Sequence, residues 1–312
     1  MPNGMEFLRR SDAVMELYRA GQYPEALRIA VQLAAEFPDD DATTSLWRVC
    51  LLSRTGRTDE ALKTMAEAME RGNWWSDQPL RADDDLSPLQ GLPAFESMVK
   101  ECIRRRLMAV RAAKPELLVR IPSSAPPFPL VIALHGAGTT AAQCLPDWMP
   151  AVELGFMLAV PQSAEPGSPG AYVWDDLARA LEQVSGQFRE LLKGNEVDTE
   201  RVIVAGFSQG AALAVQLVLR RRISGRGFLA VAPGRQILHD LDEIVRTGAG
   251  ARGYFILGGR DRRHNSLAEI HALLNQRGVT CELEDHPELG HELPSDFRSS
   301  LAAAFNFLMT PA

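Results

Sequence analysis

From Glu116 onward, short apolar runs alternate with longer stretches of helical period, and this alternation restricts the architecture more than any figure of composition. The apolar runs are Leu117–Arg120, Leu130–Leu134, Phe156–Val160, Arg201–Ala205, Gly227–Val231, Tyr254–Leu257 and Thr280–Glu284. Between and after them lie helical stretches, notably Asp175–Leu192, Gln209–Arg222, Ser266–Gly278 and Asp296–Met309. Most of the runs are continuous rather than alternating, as in strands buried on both faces. Strands separated by helices imply a mostly parallel sheet with helices on both sides, an α/β fold. The stretch 122–129, rich in proline, reads as a turn between the first two strands.

Within that pattern, Gly206-Phe207-Ser208-Gln209-Gly210 joins a strand directly to a helix. A serine in so tight a turn points its hydroxyl away from the sheet, and flanking glycines tolerate the turn because they carry no Cβ. A serine hydroxyl is a poor nucleophile at neutral pH. It needs a base within hydrogen-bond reach, and the base needs a carboxylate to orient it. On a sheet of this kind the expected chain order is Ser, then Asp or Glu, then His.

After residue 208, His239 and His271 fall on helical stretches, while His264, His286 and His291 fall on loops or strand ends. His291 lies in the turn Glu288–Pro294, between the last strand and the last helix, where a loop can carry an imidazole over the serine. His286 still belongs to the strand, and His264 follows the best acid too closely. That acid is Asp261, just past the strand Tyr254–Leu257, and a carboxylate there faces the same rim as Ser208. Asp240, Asp242 and Asp285 do not follow a strand at the right place. The tetrahedral intermediate of acyl transfer also needs backbone N–H donors for its oxyanion. Gln209, directly after Ser208, supplies one. The glycine-rich turn Leu134-His135-Gly136-Ala137-Gly138 supplies the other from Ala137, and His135 there reads as a residue that shapes the loop.

The first third of the chain is helical and internally repetitive. Gly21-Gln22-Tyr23-Pro24-Glu25-Ala26-Leu27 recurs 35 residues later as Gly56-Arg57-Thr58-Asp59-Glu60-Ala61-Leu62. The spacing and the small Ala26 and Ala61 resemble tetratricopeptide repeats, built from helix pairs of about 34 residues. Asp83–Leu89 reads as a connector and Pro93 to about Arg111 as a closing helix. Trp74 and Trp75 are expected in a core or inter-domain contact, with a peptide-binding surface as the other reading. A linker near Lys114-Pro115 divides the chain into a tetratricopeptide-like helical domain at 1–112 and a catalytic domain at 116–312.

The stretches Leu134–Gly138, Tyr172-Val173-Trp174-Asp175, Val197–Val202, Gly206–Gly210 and Gly290-His291-Glu292-Leu293-Pro294 together resemble the phospholipase/carboxylesterase branch of the α/β-hydrolases, which includes acyl-protein thioesterases. The resemblance implies an α/β-hydrolase fold and hydrolysis of esters or thioesters through an acyl-serine, without a cofactor. It also implies that Trp174 lies near the acyl group. The chain departs from the pattern around the acid. Leu257-Gly258 stands where many relatives have a histidine-glycine pair, and Arg262-Arg263-His264 follows where an apolar residue is usual. The basic pair raises the expectation of an anionic substrate.

Composition sets the remaining bounds. The net charge of −7 argues against a nucleic-acid partner. The clusters Arg104–Arg106 and Arg220–Arg222 read as basic helix ends. Four cysteines without a C-x-x-C spacing predict neither a metal site nor a disulfide framework. With no signal pattern at its start and no long apolar run, the chain is expected to be soluble and cytoplasmic. Peptidase or acyltransferase chemistry on the same three groups remains open. So does an adaptor that uses the helical domain to bind a protein partner or to pair two chains.

Overall fold

A computed structural model describes residues 2–234, 237 and 240–310. The chain forms two compact units, Met1–Ala113 with Pro166–Gly170, and Lys114–Glu165 with Ala171–Ala312.

The first unit is built from helices α1 (Pro2–Arg19), α2 (Tyr23–Glu36), α3 (Asp41–Arg54), α4 (Thr58–Glu70), α5 (Asp77–Ala82) and α6 (Pro93–Ala112). A 3-10 turn at Asp84–Leu89 precedes α6. The repeated heptapeptides explain the local geometry. Gly21 and Gly56 turn the chain at φ 70° and 76°, and the next helix begins two residues later in each case. Ala26 and Ala61 are fully buried on α2 and α4, where a small side chain lets neighbouring helices approach. Trp74 and Trp75 belong to this unit's core, and the Trp75 indole N–H donates to Ala42 O at 2.9 Å. Their burial removes the reading in which they form a peptide-binding surface. The Arg104–Arg106 cluster is also not a helix end, because α6 continues to Ala112. Arg104 and Arg105 pair with Glu101, and Arg105 also donates to the carbonyls of Met69 and Asn73 at the close of α4.

The second unit holds a seven-stranded sheet. Its strands are β1 (Leu117–Arg120), β2 (Phe128–Leu134), β3 (Met157–Pro161), β6 (Val197–Phe207), β7 (Gly227–Val231), β8 (Arg252–Gly258) and β9 (Thr280–His286), in spatial order β1-β3-β2-β6-β7-β8-β9. The numbers β4 and β5 denote the short strands Pro166–Ser168 and Ala171–Tyr172. β1 runs antiparallel to β3, and every other pairing in the seven-stranded sheet is parallel. Period-2 alternation sends Val131, Ala133, Ile203 and Ala205 to one face of the sheet. There they meet α7 (Ala141–Trp148), α8 (Pro150–Glu153) and α13 (Phe297–Met309). Leu130, Ile132, Leu134, Val202 and Val204 face the other side, against α9 (Leu177–Gly194) and α10 (Gln209–Leu219). Farther along that side lie α11 (Leu241–Thr247) and α12 (His264–Gln276).

All seven apolar runs become strands, with ends shifted by a few residues. Helices α7, α8 and α11 were not legible from period alone, because each is only four to eight residues long. Helix α10 stops at Leu219, short of the expected Arg222, because Arg221 takes φ 54°. Arg221 then donates to Thr247 O and Ala249 O, at the end of α11. Among the described residues, no helix is long and apolar enough to cross a membrane.

Candidate active site

Ser208 sits between β6 and α10 at φ 55°, ψ −117°. This is a conformation that residues with a Cβ rarely adopt and that must be held by its surroundings. Here it is held on both sides. The Ser208 N–H donates to Val231 O at 2.9 Å, and its carbonyl accepts from Gly234 N at 2.8 Å and Ala212 N at 3.1 Å. The turn also brings α10 against the end of β2. A Cβ at Gly210 would lie 2.3 Å from Leu134 O and 2.5 Å from His135 O, so only glycine fits there.

The loop after β8 carries Asp261, and the loop after β9 carries His291. Two backbone bonds tie the loops together, Gly259 N to His286 O and Arg260 N to Leu289 O, both at 2.9 Å. Gly258 permits the approach, since a Cβ there would stand 2.3 Å from Gly290 O. The result is a continuous relay. His291 Nε2 lies 2.9 Å from Ser208 Oγ, and His291 Nδ1 lies 2.7 Å from Asp261 Oδ2. The Asp261 side chain is 3% exposed, against 34% for the imidazole. Burial opposes ionisation of Asp261. The hydrogen bond from His291, the Arg263 N–H and the nearby charges of His291 and Arg263 outweigh it, and the carboxyl is held well below the usual carboxylate range. With Asp261 ionised, Nδ1 carries the proton and Nε2 presents a lone pair to the serine hydroxyl.

The other histidines and acids weighed from the sequence are engaged elsewhere. His264 pairs with Asp285 at 3.0 Å, His286 with Glu284 at 2.6 Å, and His271 with the Cys281 carbonyl at 3.1 Å. Asp240 accepts from Arg220, and Asp242 lies 4.0 Å from Arg277. His239 lies outside the described residues.

The turn after β2 comes up beside the serine. A Cβ placed on Gly136 would stand 3.6 Å from Ser208 Cβ. His135, fully buried, shapes this turn. Ser163 N–H donates to its Nε2 at 3.2 Å, which puts the ring proton on Nδ1, where it donates to Gly136 O at 2.9 Å. Both ring nitrogens are used and the ring is neutral. Burial lowers its pKa to about 4, with the Gly136 carbonyl pulling weakly the other way. Gln209 begins α10 with its N–H at the helix N-terminus, and its side chain is fixed at both ends. Its Oε1 accepts from Trp174 N at 2.7 Å, and its Nε2 donates to Asp175 Oδ1 at 2.9 Å. Trp174 is 3% exposed and its indole N–H donates to His135 O at 3.0 Å. A side chain so buried braces the loops and offers little face to a ligand. Glu165 adds a second brace. Its Oε2 accepts from the N–H groups of Asp175 and Asp176, each at 3.0 Å, while burial pushes its carboxyl up.

Two features went beyond the sequence reading. One is the Asp175–Gln209–Trp174 brace, for which the Trp174-Asp175 pair was the available signal. The other is Arg263, whose Nη2 stands 2.7 Å from His291 Nδ1 and 3.1 Å from Nε2, with two contacts of 3.4 Å to Asp261. A point so close to both ring nitrogens cannot lie in the ring plane without striking Cε1. The guanidinium therefore rests on the face of the imidazole and leaves the in-plane positions to Ser208 and Asp261.

Away from this site, the ligand atoms of Cys50, Asp83 and Asp85 lie within 4.8 Å of one another in the helical unit. They are poor metal ligands. Burial pushes the Cys50 thiol up, and Asp85 already accepts from Tyr18 at 2.9 Å and pairs with Arg54 at 3.4 Å.

Residues 7–110 match the family model described as the A/B hydrolase-like, N-terminal domain. An uncharacterized protein from Bacillus cereus ATCC 10987 is similar over 97% of this chain and 98% of its own, at 25% identity and a TM-score of 0.55. Esterase PE8 is similar over 63% of this chain and all of its own, at 18% identity and a TM-score of 0.54. Est1E from Butyrivibrio proteoclasticus, solved with ferulic acid, covers 64% of this chain and 96% of its own, at 14% identity and a TM-score of 0.50. No curated protein matches the chain. The mostly parallel sheet that brings Ser208, Asp261 and His291 to one rim has the α/β-hydrolase fold.

Proposed function

We propose that the chain is a serine hydrolase that cleaves carboxylic esters or thioesters, with Ser208 as nucleophile, His291 as base and Asp261 as its orienting carboxylate. The observation that carries this reading is the unbroken relay from Ser208 Oγ through His291 to a buried, ionised Asp261, with the serine held at a strained φ. His291 Nε2 takes the hydroxyl proton as Oγ attacks the carbonyl carbon. The oxyanion settles against the N–H groups of Ala137 and Gln209. His291 then gives its proton to the leaving alcohol or thiol, and the acyl group stays on Ser208. Water, giving a proton to the same imidazole, attacks the acyl carbon; the bond to Ser208 Oγ breaks, Oγ takes the proton back from His291, and the acid leaves. Trp174 serves here as the brace of the Ala137 loop, not as a wall of the acyl pocket. Esterases such as PE8 and Est1E share the fold, which agrees with this chemistry.

The helical unit is read as tetratricopeptide-like. The repeated heptapeptide opens α2 and α4 in the same way, and α1 to α4 pack in sequential pairs. The domains of the proposed enzyme are this helical region, residues 1–112, and a catalytic region, residues 116–312. Four buried free cysteines fit a reducing, cytoplasmic location.

The test is turnover of p-nitrophenyl acetate or butyrate by the full chain and by Ser208→Ala. The reading expects a fall of at least about 10³-fold in kcat. Equal turnover by both proteins would overturn it.

A further inference from the structure

We propose that Arg263 selects the substrate: the site prefers esters whose acyl part carries an anionic group, a carboxylate above all, within a few bonds of the scissile carbonyl. The inference rests on the hydrolase reading above and names the substrate class of that same site.

The first observation is position. Arg263 Nη2 is 3.1 Å from His291 Nε2, which is 2.9 Å from Ser208 Oγ, so the guanidinium nitrogen lies no farther than 6.0 Å from the attacking oxygen. That is the span of a short acyl chain. The second is charge. A serine triad without such an arginine carries one net negative charge at the tetrahedral intermediate, from the carboxylate, the imidazolium and the oxyanion. Arg263 makes that sum zero, so one added anionic group on the substrate restores the usual balance instead of doubling it. The third is spare donor capacity. Asp261 gives its short contact, 2.7 Å, to His291, while the Arg263 side chain reaches the carboxylate only at 3.4 Å. A guanidinium has five N–H donors in a planar fork suited to a carboxylate, and stacking on an imidazole face uses none of them well. Apart from Asp261, two acids close by have other partners: Glu288 pairs with Arg260, and Asp285 with His264. The Arg263 side chain is 18% exposed, enough for an anion to reach its edge while the stem stays packed. An entering carboxylate takes two guanidinium N–H groups and draws the cation off the imidazole face, so that the ring accepts the serine proton with no cation against it. Of the basic pair after Asp261, the role belongs to Arg263. Arg262 is exposed.

The experiment compares kcat/KM for p-nitrophenyl hemiglutarate, a monoanion, with that for p-nitrophenyl methyl glutarate, its neutral diester, after subtraction of spontaneous hydrolysis. The full-length wild type, Arg263→Gln, Arg263→Lys and Arg263→Glu are used. The readout is the ratio of the two values, because general damage to the His291–Asp261 pair lowers both together. Arg263→Gln should lower the anionic-to-neutral ratio about tenfold or more, and Arg263→Glu should lower it further. Arg263→Lys, which keeps the charge but not the fork, should retain part of it. A ratio within about twofold of wild type in both Arg263→Gln and Arg263→Glu would overturn the assignment while leaving the hydrolase intact. If the wild type turns over neither ester, the hydrolase reading fails and this inference falls with it.

Discussion

Acid sensitivity of folding should be traceable to His135. Its ring is fully buried, and both nitrogens are committed to backbone groups in a way that only the neutral form satisfies. Protonation would place a second hydrogen on Nε2, against the Ser163 N–H. The folded chain therefore resists the proton down to about pH 4, whereas the unfolded chain takes it near 6.5. The sign follows. Between those values the unfolded state binds the extra proton, so stability falls as pH falls. One proton corresponds to about 1.4 kcal/mol per pH unit, so the loss accumulates to about 3 kcal/mol on going from pH 6.5 to 4. Urea unfolding of the wild type and of His135→Asn, followed by fluorescence at half-unit steps from pH 7 to 4, tests this. The variant should be less stable at pH 7, through lost hydrogen bonds and packing, but its stability should fall less steeply. Other titrating groups are common to both proteins and cancel in the difference. Parallel stability curves across that window would refute the reasoning, because they would mean that His135 accepts its proton equally in both states.

Three further outcomes are expected. Ser208→Gly should be more stable than Ser208→Ala by about 1 kcal/mol in the same unfolding assay, with both inactive, because only glycine relaxes at φ 55°; a more stable alanine variant would show the turn to be unstrained. Gly210→Ala should cost at least about 2 kcal/mol and most of the activity, since its Cβ would meet the backbone of Leu134 and His135; a wild-type thermal midpoint would count against that packing. Asp261→Asn should lower ester turnover about 10³–10⁴-fold. It should also flatten the acid limb of the stability curve. The depressed Asp261 carboxyl stabilises the fold above the ordinary carboxylate pKa of about 4, and that contribution fades as pH drops below it. An unchanged acid limb in the variant would rule this out.

The chain's periodicities carried most of the architecture. Residues 202–205 and 130–134 read as buried strands because a strand covered on both faces needs apolar side chains in succession. The G-x-S-x-G segment marks the strand-to-helix turn because only glycines fit where backbone meets backbone. Chain order and a place on a loop just past a strand end single out His291 as the expected base and Asp261 as the expected acid. Other features depended on contacts between residues far apart in sequence. The short helices α7, α8 and α11 have too few turns to show a period, and packing on the sheet sustains them. The four residues of β1 read as a strand, but its antiparallel direction and its place at the sheet edge leave no mark in them. The burial of Trp174, the tautomer of His135 and the two-ended grip on Gln209 depend on partners up to 39 positions away. Arg263 shows the division most plainly. Its sequence neighbours give it a charge beside an acid, but the close approach of the loops after β8 and β9 lays that charge on an imidazole 28 residues away. Local residues set period and turn chemistry because these act over a few bonds. The position of a charge over a ring depends on how the whole sheet brings its loops together.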